Sequence, residues 1–278
     1  MVVLVTGGHG QLGQALQSIA DRYPQVHFHF AGSAQADLTD PQSLLRMFSQ
    51  LNPDFCINAA AYTAVDKAES QPDKAHAINV TGVENLARIC VEFQTTLLHI
   101  STDFVFDGTK RTPYLETDAT HPQGVYAQTK RQGELAVESI MQQYFIVRTS
   151  WVYSRFGANF MKTMLRLAGE RTSLNVVDDQ IGSPTHAVDL AEALVQIIQS
   201  GSNAYGIYHF SNGGAISWYE FARAIFEVNN VTIALAPIPT SAYPTPAKRP
   251  AYSVLDKSRI SQRFGIVIKD WRQALEEA

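Results

Sequence analysis

The chain has 278 residues, 45% hydrophobic and 17% charged, enough for one large globular domain or two smaller ones with a core that needs no staples. Its formal charge of −4 provides no electrostatic footprint for nucleic acid or an anionic membrane. Two cysteines, Cys56 and Cys90, sit in apolar runs and read as small buried hydrophobes of a reduced compartment, not as a disulfide framework. No run approaches the roughly 20 apolar residues of a membrane span. "MVVLVTGGHG" lacks the basic start of a signal peptide, so a cytoplasmic location is expected.

In chain order, "VVLVT" (2–6) reads as a buried strand, and "GQLGQALQSIA" opens a helix. "VHFHFA" (26–31) is the next strand. It places His27 and His29 on one face, a pair that without further ligands reads as structural, and no metal is expected. "DPQSLLRMFSQL" (40–51) is a helix with Asp40 as cap and Pro41 at its first position. "DFCINAAA" (54–61) is a third strand, followed by a long helical stretch to about Phe93. "TLLHIST" (96–102) and "YFIVRTSWVY" (144–153) are the fourth and fifth strands. Continuous apolar strands alternating with helices predict an α/β fold, a doubly wound parallel (Rossmann) sheet. Residues 1–150 read as its dinucleotide-binding domain. Residues 151–278 read as a smaller α/β substrate-binding region, with some segments returning to the sheet. There the helices are "NFMKTMLRLAGE", "HAVDLAEALVQIIQ" and "ISWYEFARAIFEV", with "GIYHFS" (206–211) as a strand. Prolines 237, 239, 244, 246 and 250 forbid helix across 236–250, which reads as a loop.

Three glycines, Gly7, Gly10 and Gly13, stand between the first strand and the first helix. In that setting Gly7 permits a tight turn, Gly10 lets the backbone approach a pyrophosphate, and Gly13 lets the helix pack on the sheet. The helix N-terminus supplies N–H groups to phosphate. This points to NAD(H) or NADP(H). An Asp or Glu after the second strand would hold the ribose of NAD, but Ala31, Gly32 and Ser33 include no acid, which tilts the expectation toward NADP(H). Asp37 comes late for the ribose and is placed nearer the adenine.

The fourth strand ends in Ser101, Thr102 and Asp103, and Tyr126 and Lys130 follow at i and i+4 of a helical segment. Ligands bind beyond the carboxyl ends of strands in open α/β sheets, so these groups meet one edge. With "TGGHGQLG" at 6–13, "NAAAYTAVDKAE" at 58–69, "STDFVFDG" at 101–108 and "YAQTK" at 126–130, the chain resembles the extended short-chain dehydrogenase/reductase family. "RTSWVYSRFGANFMKTMLRLA", "DDQIGSPT" and "SAYPTPAKRPAYSVLD" narrow the resemblance to dTDP-4-dehydrorhamnose reductases. The resemblance implies reduction of the 4-keto group of dTDP-6-deoxy-L-lyxo-4-hexulose by NAD(P)H, with this nucleotide sugar as the small-molecule partner.

It also implies roles for residues. Tyr126 is the proton donor, Lys130 lowers the tyrosine pKa and hydrogen-bonds the nicotinamide ribose, and Thr102 bonds the reacting oxygen. Asp103 holds a sugar hydroxyl, Trp151 packs on the sugar, and Arg249 is a nucleotide phosphate ligand. Gln11 and Leu12 flank the pyrophosphate; Ser33, Asp37 and Leu38 lie on the adenosine side; and Ala60, Ala61, Tyr62 and Thr63 line the nicotinamide side. Some members dimerise through a magnesium site that uses a glutamate of the first helix. Here Ala15 stands in that helix and the chain ends soon after "WRQALEEA", so a monomer or weak homodimer is expected. Two other readings share the motifs. One is another nucleotide-sugar epimerase or dehydratase, though Phe104 stands where a dehydratase would want a second acid. The other is a non-catalytic subunit resembling the regulatory subunit of methionine adenosyltransferase.

Overall fold

Strands and helices alternate as the apolar pattern predicts in the computed structural model, which describes residues 1–278. The first unit is β1 (Val2–Thr6), α1 (Gln11–Ile19), β2 (His27–Ala31) and α2 (Pro41–Leu51), followed by β3 (Phe55–Asn58). The Asp40 carboxylate caps α2 by accepting the Gln42 N–H, and Pro41 occupies the first turn, where no N–H partner is needed. The stretch expected as one long helix is divided into α3 (Val65–Ala68), α4 (Pro72–His76), a π-helical turn at Ala77–Thr81, and α5 (Gly82–Glu92). Pro72 starts α4 afresh, and the π turn carries a buried asparagine toward the sheet edge.

β4 (Thr96–Thr102), α6 (Val125–Ile140) and β5 (Tyr144–Thr149) complete the first half. The run expected as one strand over 144–153 breaks at Trp151, whose φ is +47°, and resumes as β6 (Val152–Tyr153). Beyond it lie α7 (Phe160–Glu170), β7 (Ser173–Val177), β8 (Ile181–Gly182), β9 (Thr185–His186), α8 (Ala187–Gln199) and β10 (Gly206–His209). β11 (Ile216–Ser217), α9 (Trp218–Val228), β12 (Ala234–Ile238), α10 (Ser258–Phe264) and α11 (Trp271–Glu276) close the chain. α9 opens with a full capping box between Ser217 and Glu220. The proline-rich segment begins not as a loop but inside β12, which pairs in parallel with β7 in a two-stranded sheet. Pro237 is tolerated there because a two-stranded sheet has an outer edge that needs no N–H.

The main sheet is all parallel in the order β10-β5-β4-β3-β1-β2. It matches the flavodoxin-like order extended by one strand, and the switch point falls between β1 and β3. Alternate strand residues feed opposite faces. Val3, Val5, Ile57, Leu98, Phe145 and Val147 join one core with α1 and α8. Leu4, Cys56, Leu97 and Ile146 join a second core with α2, α5 and α6. A third apolar cluster, around Tyr153, Phe221 and Ile225, binds α7, α9, β7 and α11 together. β10 is the sixth strand of this sheet, and α8 packs on its first face.

β2 is one of the two edge strands, β10 the other. His27 and His29 face solvent, while Phe28 and Phe30 stack at 5.8 Å on its other face. Cys56 and Cys90 are free and fully buried, and burial pushes the Cys90 thiol well up, as for inert core cysteines. No helix is long and apolar enough to cross a membrane.

Candidate active site

The turn after β1 needs its glycines for different reasons. Gly7 has φ +68°, and a Cβ there would fall 2.6 Å from the Ala60 nitrogen, because the turns after β1 and β3 meet at the switch point. A Cβ at Gly13 would fall 2.5 Å from the carbonyl oxygens of Gly7 and Gly8, so α1 packs directly on the turn. Gly10 is the N-cap of α1 and has no side chain to cap it, while a Cβ there would meet only the Gly7 oxygen at 3.1 Å. The N-terminal N–H groups of α1 are thus left to an anionic group, the arrangement a dinucleotide pyrophosphate requires.

Gln11 uses its side chain elsewhere: Nε2 donates to the Val152 carbonyl, and Oε1 accepts from Ser154 and Asn159. Only its backbone remains for phosphate. Leu12 is buried beneath the turn.

Of the residues expected on the adenosine side, Ser33 is exposed, and the Asp37 carboxylate is taken up by the Thr39 N–H and hydroxyl. Leu38 is buried against Gly82 and contributes core rather than an open surface.

Two buried asparagines, neither foreseen in the sequence, shape the loop after β3. Asn58 Oδ1 accepts from the Thr6 hydroxyl and the Ala60 N–H, so its Nδ2 must donate to His99 Nδ1 at 3.0 Å. That fixes His99 as the Nε2–H tautomer. Burial, and then the nearby Lys130 charge, hold its pKa well below the ordinary range, so it stays neutral. Asn79, from the π turn, accepts the Tyr62 N–H and donates to the Tyr62 carbonyl and the Thr129 hydroxyl. α6 approaches this turn so closely that a Cβ at Gly133 would fall 2.3 Å from the Asn79 oxygen. Segment 60–63 is therefore tied to the helix that bears Tyr126 and Lys130.

Tyr126 and Lys130 lie on one face of α6, above the end of β4. Lys130 is buried and donates to the Ile100 carbonyl at 2.7 Å. Its pKa is drawn down to about 8 by burial, against a smaller upward pull from Glu134. Tyr126 keeps part of its ring exposed and meets Phe104 edge-on at 5.8 Å. Desolvation pushes its hydroxyl up to about 12, opposed by the neighbouring Thr102 hydroxyl and reinforced by Asp103. The lysine is thus not seen to depress the tyrosine, as the resemblance implied, because its ammonium is turned to Ile100 and burial dominates both groups. At neutral pH the pair is a protonated phenol beside an ammonium.

Thr102 accepts the Phe104 N–H and donates to Asp103 Oδ1. Asp103 is buried, and its Oδ2 and the Ser101 hydroxyl have no partner in the protein. Burial raises the Asp103 carboxyl to about 6, against the downward pull of the neighbouring Ser253 and Thr102 hydroxyls. The folded state then holds a proton that the unfolded chain loses above about pH 4. Stability from this group is present at low pH and is lost as pH rises through about 6. Asp103→Asn is expected to raise the thermal midpoint by several degrees at pH 7.5, on the order of 2 kcal/mol, while impairing turnover. The gain should shrink toward pH 4. Melting curves across that range check it, and a lowered midpoint at pH 7.5 would refute the burial cost.

Trp151 stacks on Trp218 at 3.5 Å and 10°. Gly182 approaches so closely that a Cβ would fall 2.5 Å from Cε2 of the indole. Only part of the Trp151 surface is left for a sugar. Trp218, missed in the sequence because it reads as a helix core residue, lines a cavity of about 610 Å³ with Phe160, Met164, Gln180, Tyr243 and Arg249. Arg249 forms a two-point ion pair with Asp66, at 3.0 and 2.7 Å, and also donates to the Ala247 carbonyl. Asp66 is held below the usual carboxylate range, chiefly by the Arg249 hydrogen bond. Any phosphate on Arg249 must share that guanidinium with Asp66.

The family model described as RmlD substrate binding domain matches residues 1–278. The dTDP-4-dehydrorhamnose reductase of Aggregatibacter actinomycetemcomitans is 43% identical, over 99% of this chain and 97% of its own. Among solved structures, a dTDP-4-dehydrorhamnose reductase from Clostridium acetobutylicum superposes with a TM-score of 0.95 at 38% identity, covering 100% of this chain and 98% of that one. The enzyme of that name from Bacillus anthracis, solved in complex with NADP, gives 0.94 at 36%, covering 99% and 97%. With the whole length matched by the family model and by relatives above 30% identity, the chain belongs to the dTDP-4-dehydrorhamnose reductase family.

Proposed function

We propose that this protein reduces the 4-keto group of dTDP-6-deoxy-L-lyxo-4-hexulose to give dTDP-L-rhamnose, using NADPH or NADH. The observation that carries the reading is the meeting of Tyr126 and Lys130 with Thr102 and Asp103 at the sheet edge that also holds the Gly7–Gly13 turn. Residues 1–150 would hold chiefly the cofactor and 151–278 chiefly the substrate, with β10 and α8 belonging to the first unit by packing. The N-terminal N–H groups of α1 with Gly10 hold the pyrophosphate, Ser33 and Asp37 stand on the adenosine side, and Ala60–Thr63 line the nicotinamide. The missing acid after β2 favours NADP(H).

When bound, the reduced nicotinamide supplies the hydride that adds to the ketone carbon. Tyr126 delivers its proton to the oxygen that becomes the alcohol, and Thr102 hydrogen-bonds the same oxygen. Once the proton has left, the Lys130 ammonium turns from the Ile100 carbonyl to the phenolate and stabilises it. Asp103 accepts a sugar hydroxyl at its free Oδ2. Trp218 and the exposed part of Trp151 bound the sugar, and Arg249 contacts the diphosphate beside Asp66. Ala15 is buried in the core, so α1 has no acid for a metal-bridged contact, which supports a monomer or weak homodimer.

Purified protein mixed with the 4-keto nucleotide sugar and NADPH is expected to consume the reduced cofactor. Turnover should fall as pH rises through about 8, where Lys130 loses its proton. No oxidation with either NADPH or NADH would sink the reading, and a rate unchanged from pH 7 to 9.5 would remove Lys130 from it.

A further inference from the structure

The catalytic helix has an unusual start. The N-cap of α6 is Gly124, whose φ of +83° suits glycine and whose missing side chain leaves the helix without a cap of its own. The Val125 N–H is instead met from 56 residues away by Glu69 Oε1, at 2.8 Å. The fit is close: a Cβ at Gly124 would fall 2.6 Å from that same oxygen. A carboxylate at this end also faces the positive pole of the helix. Tyr126 is the next residue.

Glu69 is itself held. It follows directly on α3, and α3 is anchored on its other side by Asp66, which accepts from Arg249 and from the Ala247 N–H. The same segment begins six residues earlier at Thr63, the end of the loop assigned to the nicotinamide.

We propose that Glu69 is a positioning residue for the reaction: by capping the catalytic helix in place of residue 124, it sets the height of Tyr126 relative to the nicotinamide-side loop. This rests on the reading of Tyr126 as proton donor. Sub-ångström placement matters there, since a shift of about 1 Å between reacting groups can cost on the order of a hundredfold in rate. The Asn79 tie to Tyr62 and Thr129 fixes the helix one turn further on, so the Glu69 bond governs the first turn specifically.

The test compares Glu69→Ala with Glu69→Gln, which keeps an acceptor oxygen. Glu69→Ala is expected to lower kcat about tenfold, with KM for the nucleotide sugar and Kd for NADPH within about twofold of wild type. Amide hydrogen exchange in the peptide spanning residues 124–131 should quicken about tenfold, with the rest of the protein unchanged. Glu69→Gln should stay within about threefold on both measures. The inference is overturned if Glu69→Ala keeps wild-type kcat and exchange, if NADPH binding and global melting fall in parallel with kcat, or if Glu69→Gln is as impaired as Glu69→Ala. If wild type itself fails to reduce the ketone, the proposed function falls, and the exchange comparison alone decides the cap.

Discussion

Tyr126→Phe is expected to lower kcat and kcat/KM together by about 10²–10⁴-fold, the range supplied by a positioned general acid, with NADPH affinity within about twofold of wild type. The substitution removes one oxygen. That hydroxyl meets the Thr102 hydroxyl, a contact within the site rather than within the core, and the edge-on contact of the ring with Phe104 is kept by phenylalanine. The thermal midpoint should therefore stay within a degree or two, and the loss is chemical rather than structural. Equal losses in kcat and kcat/KM mark an interaction made only in the transition state. Stopped-flow measurement of NADPH oxidation at saturating ketone, with fluorescence titration of NADPH, separates the two quantities. Near-normal kcat in Tyr126→Phe would remove the tyrosine from the proton-transfer role. Thr102→Val is the companion: if Thr102 bonds the same oxygen, its loss should be smaller, since the proton source remains.

Much of this site was legible because its chemistry is local in sequence. The glycine turn is a run of seven residues whose strand and helix context is visible, and Tyr126 and Lys130 are four apart on a helix that formed where expected. The strand-end hydroxyls of Ser101 and Thr102 appeared at the end of a continuous apolar run, which became β4 with the expected bounds. What escaped was non-local. Asn58 bonds the side chains of Thr6 and His99 on the two neighbouring strands, and Asn79 and Glu69 bond backbone groups of Tyr62 and Val125, which lie 17 and 56 residues away. No spacing rule encodes such a pair. Trp151 was misplaced for a related reason. Apolar flanks on both sides made 144–153 read as a single strand, whereas the positive φ at Trp151 follows from stacking on Trp218 and from the close approach of Gly182, both distant in sequence. The tyrosine–lysine electrostatics failed in another way: i,i+4 spacing fixes the face, but burial, which sets the direction of both pKa shifts, is a property of the assembled edge.

α6 is also held in its second half by a buried charge pair whose rupture should be strongly destabilising. Glu134 lies on α6 and Arg148 on β5, both essentially without solvent exposure. Arg148 Nε donates to Glu134 Oε1 at 2.8 Å and Nη2 to Oε2 at 2.7 Å, a two-point pairing; Arg131 also donates to Oε2, at 3.0 Å, but keeps Glu138 as a second partner when Glu134 is replaced. Phe106 lies 5.2 Å from the guanidinium carbon. His209 completes the shell. Its Nδ1 must donate to the Tyr114 carbonyl, so Nε2 is an acceptor facing Arg148. Burial, with Arg148 beside it, drives the imidazole down to about 3, so it never competes as a cation. Glu134→Ala leaves a buried arginine with only a neutral imidazole and an aromatic face, and is expected to cost about 3–5 kcal/mol. At roughly 2–4 °C per kcal/mol for a chain of this size, the midpoint should fall by about 10 °C. Replacing both partners, as Glu134→Leu with Arg148→Met, should recover most of the loss, because the penalty comes from the stranded charge rather than from the lost pair. Thermal unfolding of the two variants checks this, and a Glu134→Ala midpoint within about 2 °C of wild type would refute it. Tyr126 is eight residues, just over two turns, up the same helix. If the pair anchors α6 for catalysis as well as for folding, Glu134→Ala assayed well below its midpoint should also lose kcat while the double apolar variant regains it.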